Sequence, residues 1–103
     1  MITISVDAMG GDHALDSTVP GSLAAVAAIP DLRVILVGDP DALRAKLGDS
    51  PSQRISIQAA SEVVAMEDTP AYALRKKKNS SMRVAINLVA DGEADACVSA
   101  GNT

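Results

Sequence analysis

Aromatic residues and cysteine are nearly absent from this sequence. Tyr72 is the only aromatic residue, which argues against stacking platforms for nucleic-acid bases and against aromatic cages for cationic ligands. Cys97 is the only cysteine, so an internal disulfide and a zinc site built from cysteines are excluded. A chain without internal disulfides fits a reducing cytosol.

Basic residues and long apolar runs are also scarce. Lys and Arg total 9 against 13 Asp and Glu, and the formal charge of −4 argues against a general nucleic-acid binder. The longest apolar run, residues 23–29, is far shorter than the roughly 20 residues of a membrane-spanning helix. The first seven residues lack the basic start of a targeting signal. A hydrophobic content of 48% instead indicates a folded domain with a well-covered core, or part of a larger protein.

Four segments have the pattern of β-strands. Residues 2–6 and 54–58 alternate apolar and polar side chains, and residues 33–38 and 96–100 are short apolar runs bounded by turn residues. Such runs are typical of buried strands in a parallel sheet. We therefore expect Cys97, in the last run, to be a buried small residue and not a nucleophile.

Segments with helical spacing lie between these strands. The predicted helices are residues 19–27, residues 40–47, the segment from Pro70 onward, and an amphipathic segment with Met82, Ala85, Ile86 and Val89 on one face. We expect Pro20 in the first turn of its helix, and Gly48 and Gly92 at the ends of the second and last helices. The alternation of strands and helices predicts an α/β fold with a mainly parallel sheet.

Three polar loops follow predicted strands, at the sheet edge where ligands bind in open α/β folds. They span residues 7–12, 38–39 and 99–103. Glycines there let main-chain N–H groups approach an anion, and a helix N-terminus adds a favourable dipole. The pattern fits either an anion site, such as a phosphate site, or ordinary turns. Gly10 and Gly11 fit neither the G-x-G-x-x-G pattern of dinucleotide-binding folds nor the Walker A pattern of nucleotide-binding loops.

A run of four basic residues, 75–78, stands out in this acidic chain. It is followed by Asn79, Ser80 and Ser81, which are good N-cap residues for the amphipathic helix. Lysines beside a helix N-terminus and two hydroxyl groups are compatible with an anion pocket. The alternative is a solvated helix end, where lysines complement the C-terminal dipole.

Several single residues have both a chemical and a structural interpretation. His13 could act as a general base or bind phosphate, or it could be solvated in a Gly-Asp loop. The acidic side chains of residues 62–68 could bind a metal or lie in a solvated loop. Asp7 and Asp12 either cap their loop or position an active site.

Taken together, the motifs resemble the bacterial phosphate acyltransferases of the PlsX type. The matching strings occur in the family's order: residues 6–13 (VDAMGGDH), 19–21 (VPG), 35–39 (ILVGD), 62–64 (EVV), 76–82 (KKKNSSM) and 94–103 (ADACVSAGNT). The matches run from residue 2 to residue 103. Leu15 stands where the family usually has proline, which alters loop stiffness but no donor or charge.

The resemblance implies an enzyme that moves a long-chain acyl group from acyl carrier protein to inorganic phosphate, giving acyl phosphate for phospholipid synthesis. It implies a three-layer α/β/α fold similar to isocitrate dehydrogenase and phosphotransacetylase, without a metal or nucleotide cofactor. It also implies a cytoplasmic homodimer that associates peripherally with the membrane through parts outside this chain. Residues 1–103 would be the N-terminal part of one larger catalytic domain, and we expect them to be inactive alone.

The resemblance also implies roles for individual residues. No protein nucleophile is needed if phosphate itself attacks the thioester, provided that the developing oxyanion is stabilised. We expect catalytic roles for Asp12, Lys77 and Asn102. The residues expected to bind phosphate or the thioester are Gly10, Gly11, His13, Ser80, Ser81, Ser99, Gly101 and Thr103.

Two other classes of function remain as alternatives. One is a nucleotide- or coenzyme-A-binding α/β module without this activity, which the missing glycine fingerprint disfavours. The other is a non-enzymatic regulatory or assembly domain. In such a domain, changes at Gly11 or Asn102 would alter stability but not the response to a ligand.

Overall fold

The computed structural model describes residues 1–9, 15–48, 53–60 and 80–99. The elements in these ranges are β1 (Ile2–Asp7), α1 (Leu15–Ala28), β2 (Leu32–Gly38), α2 (Pro40–Leu47), β3 (Ile55–Ala59), α3 (Ser81–Ala90) and β4 (Ala96–Ser99). All four predicted strands are confirmed, as are three of the predicted helices. The helix expected from Pro70 lies outside the described residues.

The four described strands form one parallel sheet with the order β3-β2-β1-β4. The last residue of β1, Asp7, lies opposite Val37 of β2 and Ser99 of β4. The carboxyl ends of these strands therefore meet at one edge of the sheet. The predicted α/β fold with a parallel sheet is confirmed.

Helices cover both faces of the sheet. On one face, α1 and α2 pack against the side chains of Val34 and Leu36 in β2. On the other face, Ala85 and Leu88 of α3 pack against Val37. Neighbouring residues of β2 face opposite sides because side chains alternate along a strand. The described residues thus form three layers, α/β/α.

Local signals set the ends of two helices. Before α2, the Asp39 carboxylate accepts a hydrogen bond from the main-chain N–H of Asp41 at 3.1 Å, and Pro40 is the first helical residue. Gly48 follows α2 with a φ of 56°, and Gly92 follows α3 with a φ of 80°. Both are in the left-handed region that glycine adopts without steric cost, so the predicted ends are confirmed.

The prediction that Pro20 lies in the first turn of its helix is wrong. Helix α1 begins at Leu15, which makes Pro20 its sixth residue. The apolar spacing did not reveal this earlier turn because it consists mainly of polar residues. One of them, Thr18, donates a hydrogen bond from its hydroxyl to the Ala8 carbonyl oxygen at 2.9 Å, which ties α1 to the end of β1.

Strand β4 is exposed, contrary to the prediction that it is buried. Cys97 is exposed, and Val98 is 55% exposed. The strand pairs only with β1 among the described strands and stands at the end of the strand order. Its apolar composition indicated a strand correctly, but its burial depends on neighbours that local sequence does not specify.

The buried face of α3 also differs from the prediction at one position. Ile86 is 39% exposed, whereas Leu88 is 6% exposed and packs with Ala85 against the sheet. Ser81 and Met82 complete the buried face. The helix is therefore rotated so that its first-turn serine faces the sheet, where it contacts the candidate site described below.

Candidate functional site

A buried carboxylate lies where β1, β4 and α3 meet at the carboxyl edge of the sheet. Asp7 is 1% exposed. Its Oδ1 atom accepts hydrogen bonds from the Ser81 hydroxyl and, at 3.2 Å, from the main-chain N–H of Met9. Its Oδ2 atom accepts a hydrogen bond from the Ser99 hydroxyl at 2.8 Å. One side chain therefore joins a strand end, a loop, a helix start and a second strand end.

Two further serines hold the start of α3 in this position. Ser80, which is 1% exposed, caps the helix by accepting the main-chain N–H of Arg83 at 3.1 Å. Ser5 lies in β1, two residues before Asp7, and its hydroxyl donates to the Ala85 carbonyl oxygen at 2.9 Å. The polar face of β1 is thus covered by α3, so that Asp7 and Ser81 are brought together.

The start of α3 provides main-chain donors and a favourable dipole. Of the first four N–H groups, that of Arg83 bonds the Ser80 hydroxyl and that of Val84 bonds the Ser80 carbonyl oxygen at 2.9 Å. The N–H groups of Ser81 and Met82 have no acceptor in the part of the chain that the structure describes. Helix N-termini of this kind attract anions because their free N–H groups and the helix dipole both favour negative charge.

The polar loop at residues 38–39 has a structural role. Asp39 is the N-cap of α2, as described above. Gly38 is closely packed, since a Cβ atom there would lie 2.7 Å from Cγ and 2.8 Å from Sδ of Met9. Met9 therefore packs directly over the end of β2, and Gly38 and Asp39 both serve the turn from β2 into α2.

The structure places three of the predicted site residues, and it brings them together. Ser80 and Ser81 begin α3, while Ser99 ends β4 and shares the Asp7 carboxylate with Ser81. The other predicted site residues lie outside the described residues: Gly10, Gly11, Asp12, His13, Lys77, Gly101, Asn102 and Thr103. Sequence reasoning missed Ser5, although its place on the same strand face as Asp7 was a usable signal.

An apolar cavity of about 280 Å³ lies on the α1 side of the sheet. Its lining includes Ile4, Val6, Ala25, Val34 and Val98. Asp7 and the start of α3 do not contribute to it. The cavity is consequently separate from the polar cluster at the carboxyl edge.

Residues 1–9, 15–48, 53–60 and 80–99 contain no group of three or more His, Cys, Asp or Glu side chains placed to hold a metal ion. They also contain no helix with the length and apolar character needed to cross a membrane. The acidic stretch at residues 62–68 is outside these ranges.

Comparison with known proteins identifies the relatives of this chain. The family model described as "Fatty acid synthesis protein" matches residues 2–103. Proteins named phosphate acyltransferase are similar along the whole chain. They include one from Alkalilimnicola ehrlichii at 56% identity over 105 residues, one from Methylococcus capsulatus at 55% over 106, and one from Legionella pneumophila at 54% over 105.

The chain corresponds to only part of these relatives. The match covers 99–100% of this chain but 31% of the length of each of the three relatives. The family indicated by the sequence motifs is confirmed by both comparisons. The chain belongs to the fatty acid synthesis protein family that includes the phosphate acyltransferases.

Proposed function

We propose that the protein expressed from the complete reading frame, here called the complete protein, is a phosphate acyltransferase. It transfers a long-chain acyl group from acyl carrier protein to inorganic phosphate and releases an acyl phosphate for phospholipid synthesis. The observation that carries this proposal is the 51–56% identity to proteins named phosphate acyltransferase along 99–100% of the chain. Residues 1–103 form the N-terminal part of its single catalytic domain.

The proposed reaction requires no nucleophile from the protein. A phosphate oxygen attacks the thioester carbonyl carbon, the C–S bond then breaks, and the carrier thiolate leaves and takes up a proton. Catalysis then depends on holding phosphate beside the thioester and on stabilising the oxyanion that develops. The carboxyl edge supports this scheme because α3 begins there with a favourable dipole.

The residues proposed for these steps come from three segments of the sequence, which follow β1, precede α3 and follow β4. Lys77 and Asn102 bind the phosphate or the oxyanion, and Asp12 lines the cleft. Gly101 and Thr103 contribute main-chain and hydroxyl donors, since a glycine-containing loop allows a close approach to an anion. Ser80 and Ser99 support the site from α3 and β4.

The proposal extends to partners and location. Acyl carrier protein is the acyl donor, and inorganic phosphate is the acceptor. The complete protein works as a cytoplasmic homodimer that associates peripherally with the membrane.

The test is formation of acyl phosphate by the complete protein. Purified protein is incubated with acyl-loaded acyl carrier protein and inorganic phosphate, and the product is trapped as a hydroxamate with hydroxylamine. We expect product only when phosphate is present, and a large loss of kcat/KM for phosphate in Asn102→Ala. The exposed Asp91→Asn at the far end of α3 serves as a matched control. Absence of product from the wild-type complete protein would overturn the proposal.

A further inference from the structure

Asp7 is a buried carboxyl group whose partners among the described residues are hydroxyl and main-chain donors. It is 1% exposed, and no Lys or Arg side chain among the described residues forms an ion pair with it. Burying an ionised carboxylate is costly unless hydrogen bonds replace its hydration. Here those bonds come from Ser81, Ser99 and the main chain of Met9. These three donors lie in separate parts of the fold, namely the start of α3, the end of β4 and the turn after β1.

The direction of their hydrogen bonds limits which other groups the Ser81 and Ser99 hydroxyls can bind. A serine hydroxyl has a single proton, and in Ser81 and Ser99 that proton is donated to Asp7. Neither hydroxyl can then donate to a phosphate oxygen while it donates to Asp7. A role of these serines in anion binding must therefore act through Asp7 and through the main chain that the serines anchor.

We propose that Asp7 is a positioning residue of the phosphate site, an inference that rests on the function proposed above. By accepting hydrogen bonds from both hydroxyl groups, it fixes the start of α3 against the end of β4. The main-chain N–H groups at the start of α3 are then held in one arrangement toward the substrate. Asp7 itself does not touch phosphate, since its oxygen atoms are directed to the two serines and Met9.

The substitution Asp7→Asn tests this because it keeps the shape of the side chain but changes its polarity. Met9 and Ser81 both donate to Oδ1, so the amide oxygen is expected at that position. The amide nitrogen then faces the Ser99 oxygen and donates to it, so the Ser99 proton turns away and this hydrogen bond reverses its direction. The link between β1 and β4 at the carboxyl edge loses the negative charge of the carboxylate without any loss of side-chain volume.

The chain offers a matched control at the other end of the same two strands. Asp95 precedes β4, and its carboxylate accepts the main-chain N–H of Thr3 in β1 at 2.8 Å. Asp95→Asn makes the same chemical change at the amino edge of the sheet. A general weakening of the contact between β1 and β4 should affect both variants, whereas loss of a positioned phosphate site should affect only Asp7→Asn.

The primary readout is the dissociation constant for inorganic phosphate, measured by calorimetry on the complete protein, with the melting temperature as a check of folding. We expect Asp7→Asn to weaken phosphate binding about tenfold, because charge-assisted hydrogen bonds are replaced by weaker neutral ones, and Asp95→Asn to leave it unchanged. Ser99→Ala should weaken binding similarly, and Ser99→Thr should restore it. The double variant Asp7→Asn/Ser99→Ala should bind no more weakly than the weaker of the two single variants, because both changes act on the same interaction.

Each other result has a defined meaning. Unchanged phosphate binding in folded Asp7→Asn, or additive effects of Asp7→Asn and Ser99→Ala, would overturn the positioning role. If Asp7→Asn does not fold, Ser81→Ala and Ser99→Ala decide, and normal phosphate binding in both would overturn it. If the wild-type protein binds phosphate but forms no acyl phosphate, the proposed function fails while the Asp7 role is still judged by binding. If it does not bind phosphate at all, both proposals fail.

Discussion

Each edge of the sheet is organised by one ionisable side chain. At the carboxyl edge this side chain accepts hydrogen bonds, and at the amino edge it donates them. At the carboxyl edge, the Asp7 carboxylate accepts hydrogen bonds from a helix start, a turn and a strand end. At the amino edge, the Arg54 guanidinium donates to the carbonyl oxygens of Ile29, Pro30 and Leu32 at 2.7–3.0 Å, and also to that of Val26. Each charged group thus forms several hydrogen bonds with main-chain or hydroxyl groups of the described residues.

The difference between the edges lies in what each charge organises. Arg54 gathers the carbonyl groups at the C-terminus of α1 and the turn into β2, which is the negative end of a helix dipole. Asp7 gathers groups beside the N-terminus of α3, the end that attracts anions. The amino edge therefore stabilises the fold, and the carboxyl edge places the groups that we assign to phosphate. We therefore expect substitutions at the amino edge to lower stability without changing phosphate binding, and substitutions at the carboxyl edge to weaken phosphate binding.

The largest expected effect on stability is at the amino edge. Arg54→Ala removes a charged donor from several carbonyl groups, and we expect a loss of about 3 kcal/mol in the free energy of unfolding. Denaturant unfolding of the complete protein measures it, and phosphate binding of the folded variant should be normal. Arg44→Ala is the control, since the Arg44 side chain is 68% exposed and its ion pair within the described ranges is with Asp41, which is also exposed; the change should cost less than about 0.5 kcal/mol. Weakened phosphate binding in Arg54→Ala without a loss of stability would contradict the assignment of the two edges.

A smaller effect on stability is expected from the cap of α3. Ser80→Ala removes the acceptor of the Arg83 N–H group, and N-cap losses of this kind cost about 1–2 kcal/mol. Ser80→Thr retains a hydroxyl and should recover most of the loss. Because the cap lies at the carboxyl edge, Ser80→Ala should also weaken phosphate binding. A variant as stable as the wild type would show that the cap does not hold the helix start.

The smallest effect is expected where the first loop packs on β2. A Cβ atom in Gly38→Ala would overlap Met9, and moving that flexible side chain should cost about 1 kcal/mol. Shortening the obstructing side chain tests the cause: in a Met9→Ala background, Gly38→Ala should cost much less. Equal costs in the two backgrounds would place the strain elsewhere. Thermal unfolding of the four proteins provides the comparison.

Strands β2 and β4 show which parts of the fold local sequence predicts. Both are short apolar runs, and both were correctly predicted as strands. In β2, Val34, Leu36 and Val37 are 0–2% exposed because β1 and β3 flank the strand and helices cover both of its faces. In β4, Val98 is 55% exposed because the strand stands at the end of the sheet order. Local composition predicts a strand, whereas burial depends on position in the sheet.

The candidate site could be predicted only in part for a related reason. The helix signals at Pro40 and Gly48 act between neighbours in sequence, and they were interpreted correctly. The contacts of Asp7 join residues 74 and 92 positions away, Ser81 and Ser99 respectively. The sequence identified both serines as candidates near an anion. It could not show that both serines donate hydrogen bonds to Asp7, because that depends on the rotation of α3 over β1.

The most direct test of the central claim is a crystal structure of the complete protein with inorganic phosphate bound. The account predicts phosphate at the carboxyl edge, within hydrogen-bond distance of main-chain N–H groups at the start of α3, with Ser81 and Ser99 still bonded to Asp7. Phosphate bound elsewhere in the protein, or bound directly by the hydroxyl groups of Ser81 and Ser99 after they leave Asp7, would contradict it.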